Sequence, residues 1–174
     1  MSNVDGMSKC FEHRMSEIDW VLETNLSYEF SDDLFTAWID VDLPEVEDMP
    51  NESATVSDRP LGLKLKKISD TDIRRSYMQH SHGIIFRVLG EAFACLPTLN
   101  RIIVSGYSQR ANKATGVIND EYLISLCAER SDWEKMDLSN IRQIDPVLGL
   151  QEFDLRRNMT KTGSFKPVEP FGKN

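Results

Sequence analysis

The sequence lacks any apolar run long enough to cross a membrane. Its longest strongly apolar stretch, residues 83–96, is interrupted by Arg87 and Glu91 and is shorter than the roughly 20 residues that a spanning helix needs. The first residues also contain neither the apolar core nor the small-residue cleavage site of a secretory signal. We therefore expect a cytoplasmic protein without a membrane partner.

Cysteine is scarce, and the common catalytic motifs are missing. Cys10, Cys95 and Cys127 are far apart and form no CxxC pair, which suits a reducing compartment rather than a disulfide framework. The sequence contains no GxxxxGK[ST] phosphate loop, no GxGxxG, no GxSxG and no HExxH. These absences disfavour most common enzyme classes, and we expect no cofactor.

Basic residues are few in the first third of the chain. Residues 1–60 hold 15 acidic and 3 basic side chains, whereas residues 61–174 hold 13 acidic and 17 basic ones. The net charge of −8 disfavours general binding to nucleic acid, because such binding needs a basic surface. Only the C-terminal part could approach phosphate.

Hydrophobic periodicity predicts one α+β domain over residues 1–174 with the element order α-β-β-α-β-β-α. The expected elements are helices over 5–26, 69–96 and 146–159 and strands over 34–43, 61–67, 100–110 and 120–130. Strands and helices do not alternate regularly, so a parallel doubly wound sheet is disfavoured. We expect a mostly antiparallel four-stranded sheet with helices packed on one face.

Two segments have the composition of irregular structure. Residues 44–60 combine three prolines with acidic and small polar residues, which predicts an acidic flexible loop. Residues 160–174 are basic and contain glycine and proline, which predicts an extended tail.

Asp40 and Asp42 form the first candidate site. Alternate residues of a strand project to one face, so both carboxylates could bind one Mg²⁺ or Mn²⁺ ion and bring it to a phosphate. The run WIDVDL resembles the DhDhh strand of nucleotidyltransferases, although Ser31-Asp32-Asp33 occupies the place of that family's Gly-Ser loop. The alternative is a strand whose solvent face is acidic because it leads into an acidic loop.

A second candidate lies along one side of the central helix. His80, Ile84, Arg87 and Glu91 are spaced by four, three and four residues, which places them in line. His80 could donate a proton, Arg87 could clamp an anion, and Glu91 could orient a partner group. The alternative is the wetter side of a buried helix. His82 lies on the apolar side and is predicted to be a packed core histidine.

The tail supplies a third candidate. Arg156, Arg157, Lys161 and Lys166, with Phe165 between them, could contact phosphate or a partner protein. In the alternative interpretation this segment is a solvated strap that meets the acidic residues 40–58 of the same molecule.

Taken together, these patterns favour a non-catalytic interaction or accessory module. Its partner would be another protein or a second copy of the chain, engaged through the acidic loop and the basic tail. The first alternative is a Mg²⁺- or Mn²⁺-dependent phosphoryl-transfer enzyme that uses Asp40 and Asp42, with Glu91 or His80 nearby. The second alternative is a nucleic-acid-binding domain that works through the tail.

Overall fold

A computed structural model of the chain describes residues 3–58, 61–111 and 114–172. The helices are α1 (Asn3–Ser16), α2 (Asp70–Cys95), α3 (Arg130–Trp133) and α4 (Pro146–Gly149), with 3-10 turns at Val46–Asp48, Leu138–Gln143 and Leu150–Glu152. The strands are β1 (Asn25–Phe30), β2 (Thr36–Asp42), β3 (Glu52–Asp58), β4 (Leu61–Lys67), β5 (Arg101–Ala111), β6 (Ile118–Glu129), β7 (Asp154–Met159) and β8 (Phe165–Lys166).

The main sheet has six strands in the order β1-β2-β5-β6-β7-β8, and β3 and β4 form a separate pair. β2 and β5 are parallel, because the long helix α2 carries the chain back to the starting edge between them. The other neighbouring strands are antiparallel. The α+β class is thus confirmed, whereas the predicted four-stranded antiparallel sheet and the predicted element order are wrong.

Two predicted helices are longer than the helices observed. α1 ends at Ser16 instead of residue 26, and residues 25–30 pair with β2 as the edge strand β1. The predicted helix over 146–159 ends at Gly149, and residues 154–157 of β7 pair with β6 instead. In both strands exposed and half-buried residues alternate, and their pairing supplies hydrogen bonds to a strand that would otherwise be an edge.

The predicted acidic loop contains regular structure. After the 3-10 turn, residues 52–58 form β3, which pairs with β4 in register from Glu52↔Lys67 to Asp58↔Leu61. The strand predicted over 61–67 is β4. It bonds only to β3 within the described chain, and all of its residues are exposed. Residues 59–60 lie outside the described residues.

The core lies between the main sheet and the two long helices. Ser69 caps α2, since its side chain accepts a hydrogen bond from the backbone of Asp72, as predicted. Gly106 of β5 lies close to two core side chains. A Cβ there would lie 2.7 Å from Leu43 Cδ1 and 3.0 Å from Ile85 Cδ1 of α2, so a larger residue would displace these side chains.

The C-terminal segment crosses the sheet face that lies opposite the helices. The backbone of Val168 donates to Tyr122 O over 2.8 Å, and the backbone of Phe171 donates to Ser125 Oγ over 3.0 Å. Part of the outer face is therefore covered from within the chain. In the described part of the chain, no helix combines the length and apolarity that a membrane crossing requires.

Candidate functional site

A long groove runs along the exposed side of α2 and has a volume of about 1180 Å³. Positions on α2 spaced by three and four residues form its floor, which places them on one helix face. These floor residues are Ser76, Gln79, His80, Gly83, Ile84, Arg87, Gly90 and Glu91. The groove therefore contains the whole stripe that the sequence analysis selected as its second candidate.

Apolar side chains from two distant parts of the chain form the walls. The segment after α1 contributes Trp20 and Val21, and the 3-10 turn after α3 contributes Leu138 and Ile141 on the other side. Val21 is 85% exposed and Ile141 is 52% exposed. Concave surfaces lined by exposed apolar side chains are typical of binding sites.

Two glycines lie on the groove floor, and the structure explains one of them. A Cβ on Gly90 would lie 3.2 Å from two ring atoms of Trp133, so the small residue makes room for that indole. A Cβ on Gly83 would meet no atom within 4 Å. Glycine inside a helix is destabilising relative to alanine, and nothing in the fold requires it at position 83.

The two glycines should respond differently to substitution. Gly83→Ala should raise the free energy of unfolding by roughly 0.5–1 kcal/mol, because alanine favours the helix and meets no neighbour. Gly90→Ala should give less than this gain or none, because the new methyl must displace Trp133. Urea denaturation of both variants and the natural chain checks this. A Gly83→Ala protein that is less stable than the natural chain would contradict the open floor.

Glu91 is a buried carboxylate at one end of the groove, with 8% of its surface exposed. Arg87 Nε lies 2.7 Å from its Oε1, and Arg14 of α1 donates to its Oε2. The hydrogen bond to Glu91 raises the pKa of Arg14. The carboxylate thus bridges Arg87 of α2 and Arg14 of α1, so Glu91 joins the two helices.

His80 lies further along the same floor. Its Nε2 is buried and has no hydrogen-bond partner within the described chain, and burial lowers the pKa of the imidazole. The ring is therefore neutral at pH 7. His80 and Glu91 are eleven residues apart, which is about 16 Å along a helix axis. The structure places both in one groove but too far apart to act on one proton.

Asp40 and Asp42 lie on the outer face of the sheet, away from the groove. They pair in register with Ser105 and Tyr107, so both side chains project to the same side, as predicted. Burial, with Asp120 and Glu23 nearby, raises the pKa of Asp42. Residues 3–58, 61–111 and 114–172 contain no group of three His, Cys, Asp or Glu side chains arranged to hold a metal ion. The Mg²⁺ or Mn²⁺ site stays a prediction.

The tail candidates do not form one cluster. Arg156 and Arg157 are neighbours on β7, so their side chains project to opposite faces. The guanidinium of Arg156 lies 3.9 Å from the centre of the Phe171 ring and donates to Pro170 O over 3.1 Å. It therefore binds the C-terminal segment to the outer face.

Arg157 points into the core instead. Its Nη1 lies 2.8 Å from His82 Nε2 and donates to Val147 O over 3.2 Å. The predicted core histidine His82 is fully buried. Lys161 and Lys166 are exposed, and their contact with phosphate or a partner stays a prediction.

The groove walls were missed by sequence reasoning. We placed Trp20 and Val21 inside the predicted helix over 5–26, and we assigned Ile141 to none of the predicted helices and strands. These segments are more than 100 residues apart, and only the fold brings them to the two sides of α2. The one available signal was Gly83, a helix-breaking residue inside the longest helical pattern.

Comparison of the chain with protein-family models, with curated proteins and with solved structures found no match.

Proposed function

We propose that this protein is an interaction module that binds an amphipathic helix of a partner protein in the α2 groove. The observation that carries the proposal is the groove itself, a concave surface of about 1180 Å³ with exposed apolar walls. Gly83, an open glycine on its floor, leaves room for a bound backbone to approach closely.

The dimensions of the groove fit a helix. Its floor extends from Ser76 to Glu91, which corresponds to about 22 Å, or four helical turns. Helix-binding grooves hold apolar anchors that recur every three or four residues along the bound segment. The apolar walls and the missing side chain at Gly83 give such a helix a surface against which it can pack closely.

The polar groups of the groove define the chemistry of the partner. Arg87 is largely exposed on the floor while it pairs with Glu91, so it can donate to an acidic side chain of the bound helix. A complementary helix therefore carries an apolar stripe, a small residue opposite Gly83 and an acidic residue opposite Arg87.

The test uses a displayed library of 18-residue amphipathic helices, selected for binding to the natural chain. Selected peptides should bind with micromolar dissociation constants, and Gly83→Leu should weaken them at least tenfold, because its side chain fills the floor. Gly6→Leu is the matched control, since Gly6 is also a helical glycine with nothing within 4 Å of its Cβ position but lies on exposed α1.

Two results would contradict the helix-binding proposal. One is a library that yields no binder above background. The other is a set of binders that Gly83→Leu and Gly6→Leu affect equally, because such peptides would bind elsewhere on the protein. Such peptides should also fail to crosslink, through a cysteine of their own, to Val21→Cys on the groove wall.

A further inference from the structure

The hairpin formed by β3 and β4 has one apolar face that no part of the described chain covers. Cross-strand partners share a face, so the pairs Ala54↔Leu65 and Val56↔Leu63 place their side chains on the same side as Leu61. Exposure is 71% for Val56, 83% for Leu61, 73% for Leu63 and 67% for Leu65. Four large apolar side chains on one small face are far more than a scatter of single exposed residues.

The opposite face of the hairpin is polar. It carries Ser53, Thr55, Lys64 and Lys66, and the two hydroxyl groups bond to carbonyl oxygens of the neighbouring strand. The pattern is that of a sheet with one side in water and the other buried. An isolated two-stranded hairpin is at best marginally stable in water, so its apolar side needs a covering surface.

The described residues of the chain do not provide that surface. The sheet order leaves β3 and β4 bonded only to each other, and every described side chain of the hairpin is exposed or nearly so. A second molecule is the natural source of a cover.

We propose that the hairpin is a homodimerisation element, whose apolar face packs against the same face of a second copy. Glu52 and Lys67 are cross-strand partners at the base of that face, so the two opposite charges lie at the same height along the strands. A two-fold axis parallel to the strands places β3 of one hairpin over β4 of the other. Glu52 then faces the partner's Lys67, and the apolar side chains meet between them.

Self-complementarity favours a second copy over an unrelated partner. The face supplies its own apolar residues, its own acid and its own base in the arrangement that a two-fold contact requires. The surface is small compared with stable interfaces, so the dimer should be weak and concentration-dependent. The hairpin is separate from the α2 groove, so this inference does not depend on helix binding.

Sedimentation velocity from 5 to 500 μM tests the dimer. The average mass should rise from 19.9 kDa toward twice that value, and Leu63→Asp should weaken association at least tenfold. Leu148→Asp is the matched control, because Leu148 is also an exposed leucine, at 61%, but lies on α4. At 5 μM, where association is weak, thermal unfolding should be the same in Leu63→Asp and the natural chain, since the Leu63 side chain lies outside the core. A mass of 19.9 kDa at 500 μM would overturn the proposal.

Charge exchange tests the register of the contact. Glu52→Lys and Lys67→Glu each place like charges opposite one another in a dimer, so each variant alone should associate at least tenfold more weakly. An equimolar mixture of the two should recover association, because every cross-chain pair is then of opposite sign. Within each chain the pair stays repulsive, so recovery cannot arise from a repaired hairpin. Failure of the mixture to recover would overturn the parallel two-fold arrangement.

Discussion

Replacing Phe11 with alanine should lower the free energy of unfolding by about 3–5 kcal/mol, the usual cost of removing a buried aromatic ring. Phe11 is 2% exposed and packs edge-on against Tyr28 of β1, with 4.9 Å between the ring centres. It lies between Met7 and Met15, and these three are the buried apolar residues in the described part of α1. Removing the central one leaves a cavity that its neighbours cannot close.

The same substitution should also loosen the α2 groove. α1 carries Arg14, which binds Glu91, and the segment after α1 forms the wall that contains Trp20. Chemical denaturation measures the loss of stability. The fluorescence of Trp20 and the other indoles reports changes in the surroundings of the groove wall. Phe35→Ala is the matched control, because Phe35 is 49% exposed and its removal should cost little. Equal losses in the two variants would show that α1 is not anchored by Phe11.

The central helix could be predicted from sequence because its signals are local. Ser69 and Asp72 supply the cap, and the apolar positions repeat for seven turns without a proline. The strands over 100–110 and 120–130 were also predicted, and they correspond to β5 and β6, which are long and pair with each other. In these segments local preference and tertiary packing agree.

The strands β1 and β7 could not be predicted, because their conformation is set by their neighbours. Residues 25–30 and 154–159 contain no β-branched residue. Each segment becomes a strand because it pairs with a longer neighbouring strand. The groove likewise depends on contacts between segments that are far apart in the chain. Its floor was visible as a helical stripe, but its walls depend on how residues 17–21 and 133–146 fold back over α2.

His82 gives the protein a stability that depends on pH. Its Nδ1 lies 2.6 Å from Met78 O, and its Nε2 lies 2.8 Å from Arg157 Nη1. Arg157 can only donate, so Nε2 accepts and Nδ1 carries the ring proton, which is the neutral tautomer. Burial lowers the pKa of His82 to about 4; the carbonyl of Met78 and the charge of Asp145 oppose this shift, and the charge of Arg157 adds to it.

The sign of the effect follows from where the proton binds. In the unfolded chain the imidazole titrates near pH 6.5. Between pH 6.5 and 4 the unfolded state therefore binds a proton on this ring, whereas the folded state does not. The contribution of neutral His82 to the free energy of unfolding is therefore fully present above pH 6.5, and it is lost as the pH falls toward 4. A shift of this size corresponds to about 3 kcal/mol between those limits.

Urea denaturation at a series of pH values from 7.5 to 4 should show this loss in the natural chain. His82→Gln keeps a neutral polar side chain without a titrating proton, so its stability should change less over the same interval, even if it starts lower at pH 7.5. His13→Gln is the control, because His13 is exposed on α1 and its removal should leave the slope unchanged. The other histidine and aspartate groups with shifted pKa values, His80, Asp33, Asp42 and Asp137, are present in every variant and contribute equally. Parallel curves for the natural chain and His82→Gln would mean that the buried imidazole binds its proton as readily in the folded state as in the unfolded one, which is incompatible with an acceptor held by Arg157.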